Sequence, residues 1–397
     1  MSAPTPSQTD PIPLLNALIR CPSVTPEKAG VMDVLEGALE PLGFVVERLR
    51  FQGDGSYPVD NLFATRDSGP GPHLLFAGHA DVVPPGDVAQ WSHPPFAADE
   101  ADGIIFGRGA ADMKSGIAAF VAAVARAIEQ GAVNRGKLSL LITNDEEADA
   151  INGTEKVLAW AAARGHRFDF AIVGEPSASA RVGDSIKVGR RGSLNFEIAV
   201  TGTQGHVAYP DKAVNPLPLV ARIVTGLSGR RDAGSALFPP SNLEFTSIDV
   251  GNAATNVIPG RAMLRGNVRY NDRWTPATLT EELHRRLKAI VADLGAGEAE
   301  LKVAQRPSVS FVSPSGGGVA LLSEVIEAAT GQRPDLSTGG GTSDARFIAP
   351  YCPVAELGLV GTSMHKADEH VAIADVEALT ELYRAFIARF LTAGEAK

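Results

Sequence analysis

The chain has 397 residues, of which 44% are hydrophobic and 21% charged, which is ordinary for a soluble globular protein of two or three domains. Its formal net charge of −10 argues against nucleic acid as the main partner, because contacts to phosphates need basic surfaces. Cys21 and Cys352 form no disulfide framework, the first residues carry no secretory signal, and no apolar stretch approaches the roughly 20 residues that span a bilayer. We therefore expect a cytoplasmic protein that binds neither nucleic acid nor membrane.

Short apolar segments alternate with helical patterns in the first half of the chain. The predicted strands are residues 73–77, 138–143 and 168–173. The predicted helices are residues 14–20, 32–42, 115–130 and 155–163, where apolar side chains recur at helical spacing. Strands that alternate with helices indicate an α/β layer with a largely parallel sheet.

The pattern changes near residue 183. Half-exposed strands are then predicted at 194–200, 242–250 and 261–270, and helices at 216–227 and 276–294, which together indicate an α+β unit. After about residue 300 the α/β pattern returns, with helices predicted at 318–330 and 373–390. The predicted fold is therefore an α/β domain with a mostly parallel central sheet, made of residues 1–182 and 300–397. An α+β domain inserted at residues 183–299 interrupts it.

Two adjacent carboxylates, Glu146 and Glu147, directly follow the predicted strand 138–143. Adjacent acids repel each other, so the end of a strand has little reason to hold both unless a cation lies nearby. A solvated acidic turn is the alternative interpretation, since exposed acids are common. Whether the pair faces a cation or lies in a solvated turn therefore depends on which other residues lie near it.

His79 and Glu175 also follow predicted strands, and Asp112 precedes the predicted helix 115–130. The carboxyl ends of parallel strands form the edge at which open α/β sheets bind ligands. Taken singly, the histidine fits a structural role and the aspartate fits a helix N-cap. Together, one imidazole among several carboxylates suits a divalent ion such as Zn²⁺, with Co²⁺ or Mn²⁺ as alternatives.

Several segments of the chain match known motifs in their expected order. Gly78-His79-Ala80-Asp81, residues 107–114, Asp145-Glu146-Glu147 and Gly174-Glu175-Pro176 resemble those of the dinuclear zinc aminoacylase/carboxypeptidase-type metallohydrolases. Residues 91–96, 189–193, 205–210, 256–259 and 340–348 resemble the branch of that family that acts on N-succinyl-L,L-diaminopimelate. The resemblance covers nearly the whole chain. It implies a zinc-peptidase-like catalytic domain, and it implies that the inserted domain pairs two subunits into a homodimer.

The resemblance further implies two zinc ions per subunit, for which Co²⁺ can substitute. Asp112 would bridge them, His79 and Glu175 would complete the ligands of one ion, and Glu147 and His365 those of the other. Residues 363–370 offer two histidines, and the His-Lys-x-x-Glu pattern of the family selects His365 over His370. Glu146 would be the general base.

Further roles follow from the same resemblance. We expect Asp81 to orient the His79 imidazole through its second ring nitrogen, with a turn-forming aspartate as the alternative. His206 and Asn256 of the inserted domain would reach the active site of the partner subunit and stabilise an oxyanion there. Arginine can hold a carboxylate in two hydrogen bonds, which suits the substrate. The expected substrate-binding residues are Arg190, Ser193, Tyr209, Arg269, Gly341, Thr342 and Ser343.

The implied reaction is hydrolysis of the amide bond of a small N-succinyl amino acid, N-succinyl-L,L-2,6-diaminopimelate. Its products are succinate and L,L-diaminopimelate, in diaminopimelate and lysine biosynthesis. Because the metal motif specifies amide hydrolysis but leaves the acyl group open, another N-acyl-amino-acid deacylase, such as an acetylornithine deacetylase, or a related carboxypeptidase is an alternative. A catalytically silent binding relative is a second alternative, and it would have lost a ligand or the base.

Overall fold

The computed structural model describes residues 6–392. Its helices are α1 (Pro6–Thr9), α2 (Pro11–Ile19), α3 (Val31–Leu39), α4 (Ser115–Glu129), α5 (Thr154–Ala163), α6 (Leu217–Leu227), α7 (Pro276–Leu294), α8 (Gly318–Thr330), α9 (Ala345–Ile348) and α10 (Ile373–Thr392). No helix within these residues is both long and apolar enough to cross a bilayer.

The strands are β1 (Val45–Gly53), β2 (Ser56–Asp67), β3 (His73–His79), β4 (Asp99–Ala101), β5 (Ile104–Phe106), β6 (Lys137–Thr143), β7 (Phe170–Val173), β8 (Ser185–Lys187), β9 (Gly189–Arg190), β10 (Gly192–Thr201), β11 (Gly205–His206), β12 (Gly229–Arg230), β13 (Asn242–Asp249), β14 (Val257–Ile258), β15 (Arg261–Tyr270), β16 (Glu298–Val303), β17 (Phe311–Val312), β18 (Asp335–Ser337), β19 (Val354–Glu356) and β20 (His370–Ala372).

The described chain divides into two compact units. The first comprises residues 6–189, 313–337 and 343–392, and the second comprises residues 190–312 and 338–342. We call them the α/β unit and the α+β unit. The α/β unit is thus assembled from three separate stretches of sequence.

An eight-stranded mixed sheet forms the centre of the α/β unit, in the order β1-β2-β6-β3-β7-β19-β8-β18. Strand β3 pairs in parallel with both β6 and β7, and β7 pairs in parallel with β19. Every residue of β3 is buried, as expected for a central strand with both faces covered. Leu74 and Phe76 join the core that contains residues of α4 and α10, whereas Leu75 between them points to the opposite face. This mixed, mostly parallel sheet confirms the predicted fold class.

The α+β unit is built on a five-stranded antiparallel sheet in the order β12-β13-β15-β10-β16. Alternate residues of β10 are buried, and Leu194, Phe196 and Ile198 share one core with residues of α6 and α7. The sheet therefore carries both helices on one face and polar side chains on the other. A separate two-stranded ladder, β11 with β14, lies in the same unit.

Candidate metal centre

Most of the predicted metal ligands lie where strands of the α/β unit end. His79 is the last residue of β3, while Glu146 and Glu147 follow β6 and Glu175 follows β7. Asp112 lies in the irregular turn Ala110–Lys114 before α4, and His365 lies in the loop before β20. The topology thus explains how residues distant in sequence reach one edge of the sheet.

The carboxylate of Asp112 lies between two imidazoles. Its Oδ1 is 3.2 Å from Nε2 of His79, and its Oδ2 is 3.4 Å from Nε2 of His365. Each imidazole nitrogen also faces a second carboxylate: that of His79 is 3.5 Å from Glu175 Oε1, and that of His365 is 3.1 Å from Glu147 Oε1. The five residues therefore divide into two sets that share Asp112.

Two groups among the described residues place their donor atoms within 4.8 Å of one another, close enough to hold a metal ion. The first group is His79, Glu146 and Glu175, and the second is His79, Asp112 and Glu147. Glu146 is therefore within reach of the same ion as Glu175. Distances between donor atoms alone therefore do not distinguish Glu146, the predicted base, from the predicted metal ligands.

Burial and mutual charge shift the titration of these groups. Burial, reinforced by the negative charge of Glu175, raises the pKa of Glu146 well above its usual value. Burial and the charge of Asp112 likewise raise the pKa of Glu175 to about 7. Hydrogen bonds to Asp112 and Glu147 raise the pKa of His365 to about 10. Burial alone would raise the pKa of Asp112, but the two histidines outweigh it and hold that pKa well below its usual value.

This donor set fits a pair of divalent cations. Four carboxylates approach two imidazoles here, so the negative charge of the ionised group exceeds the positive charge that the imidazoles can supply. Imidazole nitrogen and carboxylate oxygen are both zinc ligands. The alternative of a solvated acidic turn is wrong for Glu147, because its side chain is only 8% exposed and contacts His365. His370 lies elsewhere: its Nδ1 bonds the carbonyl of Asp368 at 2.7 Å and its ring packs on Phe106.

The backbone that carries Asp112 is held by a residue that the sequence does not single out. Oε1 of Glu369 accepts hydrogen bonds from the backbone N–H groups of Ala111 and Asp112, at 2.9 and 3.1 Å. Its Oε2 is 2.5 Å from a guanidinium nitrogen of Arg108, and both side chains are almost completely buried. The His-Lys-x-x-Glu pattern that selects His365 already contains Glu369, so a signal was present in the sequence.

Asp81 orients His79, but with its backbone. Nδ1 of His79 lies 2.9 Å from the backbone carbonyl of Asp81 and 3.7 Å from its carboxylate, which is beyond hydrogen-bond distance. The contact expected between Asp81 and the second ring nitrogen of His79 is thus made by the backbone carbonyl and not by the carboxylate. Because a carbonyl can only accept, this contact places the proton on Nδ1 in the neutral imidazole. Nε2 then keeps its lone pair, which is the form of the ring that binds a metal through Nε2.

Two predicted oxyanion residues lie side by side in the α+β unit. His206 pairs with Val257 in the β11–β14 ladder, and the N–H of Val207 donates to the carbonyl of Asn256 at 3.1 Å. His206 and Asn256 are both exposed. The imidazole of His206 on β11 and the amide of Asn256, directly before β14, thus come from segments 50 residues apart in sequence.

The predicted substrate residues Ser193 and Arg269 are also neighbours, directly opposite each other on β10 and β15. Arg190 is 7% exposed, and one of its guanidinium nitrogens donates to the carbonyls of Gly339 and Gly341, each at 3.3 Å. Arg190 therefore shapes the glycine loop that leads to Thr342. Tyr209 is 60% exposed, and its ring lies near that of His206.

Ser343 belongs to the α/β unit, unlike the other predicted substrate residues. It is 1% exposed, and its hydroxyl donates to the carboxylate of Glu356 at 2.5 Å. The side chain of Ser343 is thus committed to a buried partner. The hydroxyl of Ser343 is therefore not exposed to a ligand in this structure.

Comparison with known proteins relates both units to one family. The model of peptidase family M20/M25/M40 matches residues 75–389. An M20 family metallo-carboxypeptidase from Sulfolobus solfataricus is similar at 17% identity and a TM-score of 0.77, over 96% of this chain and 99% of that one. Aminopeptidase PepT from Bacillus cereus is similar at 20% identity and a TM-score of 0.76, over 96% and 98%. A dinuclear metal-binding M20 peptidase from Bacillus subtilis is similar at 19% identity and a TM-score of 0.68, over 95% and 96%.

Proposed function

Because the chain belongs to peptidase family M20/M25/M40, we propose that it is a zinc-dependent desuccinylase that hydrolyses N-succinyl-L,L-diaminopimelate. The observation that carries the hydrolytic part is the shared position of Asp112, whose two oxygens face the imidazoles of His79 and His365. The succinyl part rests on the motif resemblance of residues 189–193 and 340–348. We place this activity in the cytoplasm, in diaminopimelate and lysine biosynthesis.

Five residues would hold two cations, zinc or cobalt. Asp112 would lie between them, with His79 and Glu175 on one side and Glu147 and His365 on the other. When bound, the cations would polarise the scissile carbonyl and lower the pKa of a water molecule. The carbonyl of Asp81 and the carboxylate of Glu369 fix the ring of His79 and the backbone of Asp112, so these ligands are oriented before binding.

Glu146 would move the proton. Its carboxylate accepts a proton from the attacking water and delivers it to the leaving amide nitrogen, which departs as an amine. Its oxygen atoms lie within 4.8 Å of donor atoms of both His79 and Glu175, so the base stands next to the ligands. We assign Glu147 to the metal because its Oε1 faces His365 at 3.1 Å.

The α+β unit would bind the charged ends of the substrate and the developing oxyanion. Arg190, Ser193, Tyr209 and Arg269, with the loop at Gly341 and Thr342, would contact the substrate carboxylates. His206 and Asn256, exposed on the β11–β14 ladder, would donate to the carbonyl oxygen in the active site of the partner subunit. An oxyanion donor of this kind is worth about 3 kcal/mol of the barrier. We therefore propose a homodimer as the active form.

A comparison of substrates tests the proposal. The zinc-loaded protein is assayed with N-succinyl-L,L-diaminopimelate, N-acetylornithine and a dipeptide, and kcat/KM is measured for each. We expect a clear preference for the succinyl substrate. A preference for N-acetylornithine identifies another deacylase, and a preference for the dipeptide identifies a peptidase. Absence of all three activities in protein that holds about two zinc ions per chain supports a silent relative.

A further inference from the structure

The carboxylate of Asp81 is bound by the backbone of the acidic pair. Asp81 is completely buried. Its Oδ1 accepts from the N–H of Glu146 at 3.2 Å, and its Oδ2 accepts from the N–H of Glu147 at 3.1 Å. Because the backbone carbonyl of Asp81 already serves His79, the carboxylate is committed to these two N–H groups and to one further donor.

That further donor is Thr25. Its hydroxyl donates to Oδ2 of Asp81 at 2.7 Å. The chain around Thr25 runs beside the chain around Asp81: the N–H of Val82 donates to the carbonyl of Ser23 at 3.0 Å, and the N–H of Thr25 donates to the carbonyl of Val82 at 3.3 Å. The hydroxyl of Ser23 donates to the carbonyl of Ala80 at 2.6 Å. These bonds to Ala80 and Val82, the residues on either side of Asp81, hold the segment that carries Thr25 in place.

We propose that Thr25 is a positioning residue for the general base. Its hydroxyl helps to fix the orientation of the Asp81 carboxylate, so that Oδ1 accepts from the N–H of Glu146 and Oδ2 accepts from the N–H of Glu147. These N–H groups fix the backbone from which the Glu146 carboxylate extends. The proposal rests on the proposed role of Glu146 and extends the reaction machinery to residue 25, more than 50 positions before the first metal ligand.

A carboxylate rotates freely about its last torsion unless donors on both oxygens hold it. Hydrogen bonds to an ionised carboxylate are about twice as strong as neutral ones, so three of them make a firm anchor. Loss of the hydroxyl leaves a single N–H donor on each oxygen, so the carboxylate is held less firmly and the backbone at Glu146 can shift. His79 keeps its own acceptor, so metal binding should survive.

A similar arrangement fixes the other end of the same loop. The buried carboxylate of Asp145 accepts from the hydroxyl of Tyr57 at 2.5 Å and from the consecutive N–H groups of Ile151 and Asn152, at 2.8 and 2.9 Å. One hydroxyl and two consecutive N–H groups therefore hold each of the two carboxylates. The loop that carries Glu146 is anchored at both ends by charge-assisted hydrogen bonds.

Three variants of the full-length, zinc-loaded protein test the proposal. Thr25→Val removes the hydroxyl at constant shape, Thr25→Ser retains it, and Thr380→Val is the matched control. Thr380 is a completely buried threonine far from Asp81 in sequence, and its hydroxyl donates to the carbonyl of Val376 in α10, at 2.8 Å. The measurements are kcat, KM, zinc content and amide hydrogen exchange at Glu146 and Glu147.

For Thr25→Val we expect kcat to fall about tenfold or more at unchanged KM, because misplacement of a reacting group is costly even when binding is intact. Zinc content should stay at the wild-type value, and amide exchange at Glu146 and Glu147 should become faster. Thr25→Ser should restore both kcat and slow exchange, and Thr380→Val should leave both unchanged.

Wild-type kcat together with wild-type exchange in Thr25→Val overturns the proposal. Loss of zinc in that variant, or an equal loss of kcat in Thr380→Val, also overturns it, since either shows a general structural effect. Amide exchange needs no substrate. If the wild-type protein does not cleave the succinyl substrate, the proposed function fails. Amide exchange then still tests the positioning role of Thr25: faster exchange in Thr25→Val supports that role, and unchanged exchange contradicts it.

Discussion

Glu146 and Glu147 are adjacent in sequence but have different neighbours. Glu147 faces the imidazole of His365 and Glu146 lies near Glu175, while both carboxylates come within 4.8 Å of a ring nitrogen of His79. Because consecutive side chains leave the backbone in different directions, one turn can supply both a ligand and a base. The adjacency that looks repulsive in the sequence would thus let one turn supply both of the proposed roles.

Replacement of Glu146 by Gln tests this division. The change removes the proton acceptor and keeps the shape, so we expect kcat to fall by about 10²-fold or more. Zinc content should remain that of the wild type, because Glu147 still faces His365. Steady-state kinetics and metal analysis of the purified variant give both values.

Asp149 provides the matched control for this experiment. It is an exposed acid in the same loop, and its carboxylate accepts from the hydroxyl of Ser56. Asp149→Asn should leave kcat within about twofold, as for most surface substitutions. A Glu146→Gln variant that keeps substantial turnover would place the base on another residue.

At the scale of elements, the start of α4 packs against the end of β7 with no space for a side chain. A Cβ on Gly116 would lie 2.4 Å from the carbonyl oxygen of Gly174, which precedes the predicted ligand Glu175. Backbone cannot move aside as a flexible side chain can. Gly116 therefore sets the distance between a core helix and the strand end that carries Glu175.

Gly116→Ala should lower the free energy of unfolding by about 1–3 kcal/mol, the usual cost of overpacking. Gly37→Ala is the control, since Gly37 lies inside α3 with nothing within 4 Å of its added Cβ. This second change should raise stability by about 0.5–1 kcal/mol, because alanine is the better helix former. Urea unfolding followed by circular dichroism measures both, and equal effects from the two changes would contradict the packing argument.

The sequence predicts eight of the ten helices in the described residues because their apolar periodicity is strong, but only six of the twenty strands, many of which span two or three residues. The predictions for α7, α8 and β15 agree with the structure at both ends, and the buried strands β3 and β6 agree within two residues. The hairpin β1–β2 escapes prediction. Most residues of β1 are exposed and several are charged, so the strand lacks a clear alternation of apolar side chains.

The candidate site is predictable only in part, for a physical reason. Residues that could touch a metal stand out by type, and motifs identify them. Glu369 acts through backbone N–H groups, and Thr25 acts through the carboxylate of Asp81 that accepts from such groups. The His-Lys-x-x-Glu pattern includes Glu369, but no spacing in the sequence indicates which N–H groups the fold brings to either carboxylate. Whether the carbonyl or the carboxylate of Asp81 contacts His79 likewise depends on the path of the folded backbone and not on residue type.

At the scale of the whole molecule, the proposed homodimer predicts complementation between defective subunits. Glu146→Gln lacks the base, and His206→Ala lacks the donor offered to the partner. In a mixed dimer, the subunit with intact Glu146 receives His206 from the other, so one of its two sites is complete. Random assortment should therefore restore about one quarter of wild-type activity, and mixed dimers purified through both tags should have about one half.

Co-expression with two affinity tags, followed by kinetics, provides the measurement. Each variant alone is the baseline, and a mixture of separately purified variants under conditions without subunit exchange is the control. Activity of the mixed dimers no higher than the baseline would show that His206 acts within its own subunit or not at all.

The three-part composition of the α/β unit has a consequence for the order of events during synthesis. Residues 6–189 contain His79, Asp112, Glu147 and Glu175, whereas His365 follows the complete α+β unit. Strand β19 and helix α10, which join the sheet and the core beside α4, also come late. A ribosome-bound chain therefore exposes four of the five proposed ligands for almost two hundred residues before the last one emerges. The fifth ligand and the final strand of the parallel sheet arrive together, so completion of the site coincides with completion of the core.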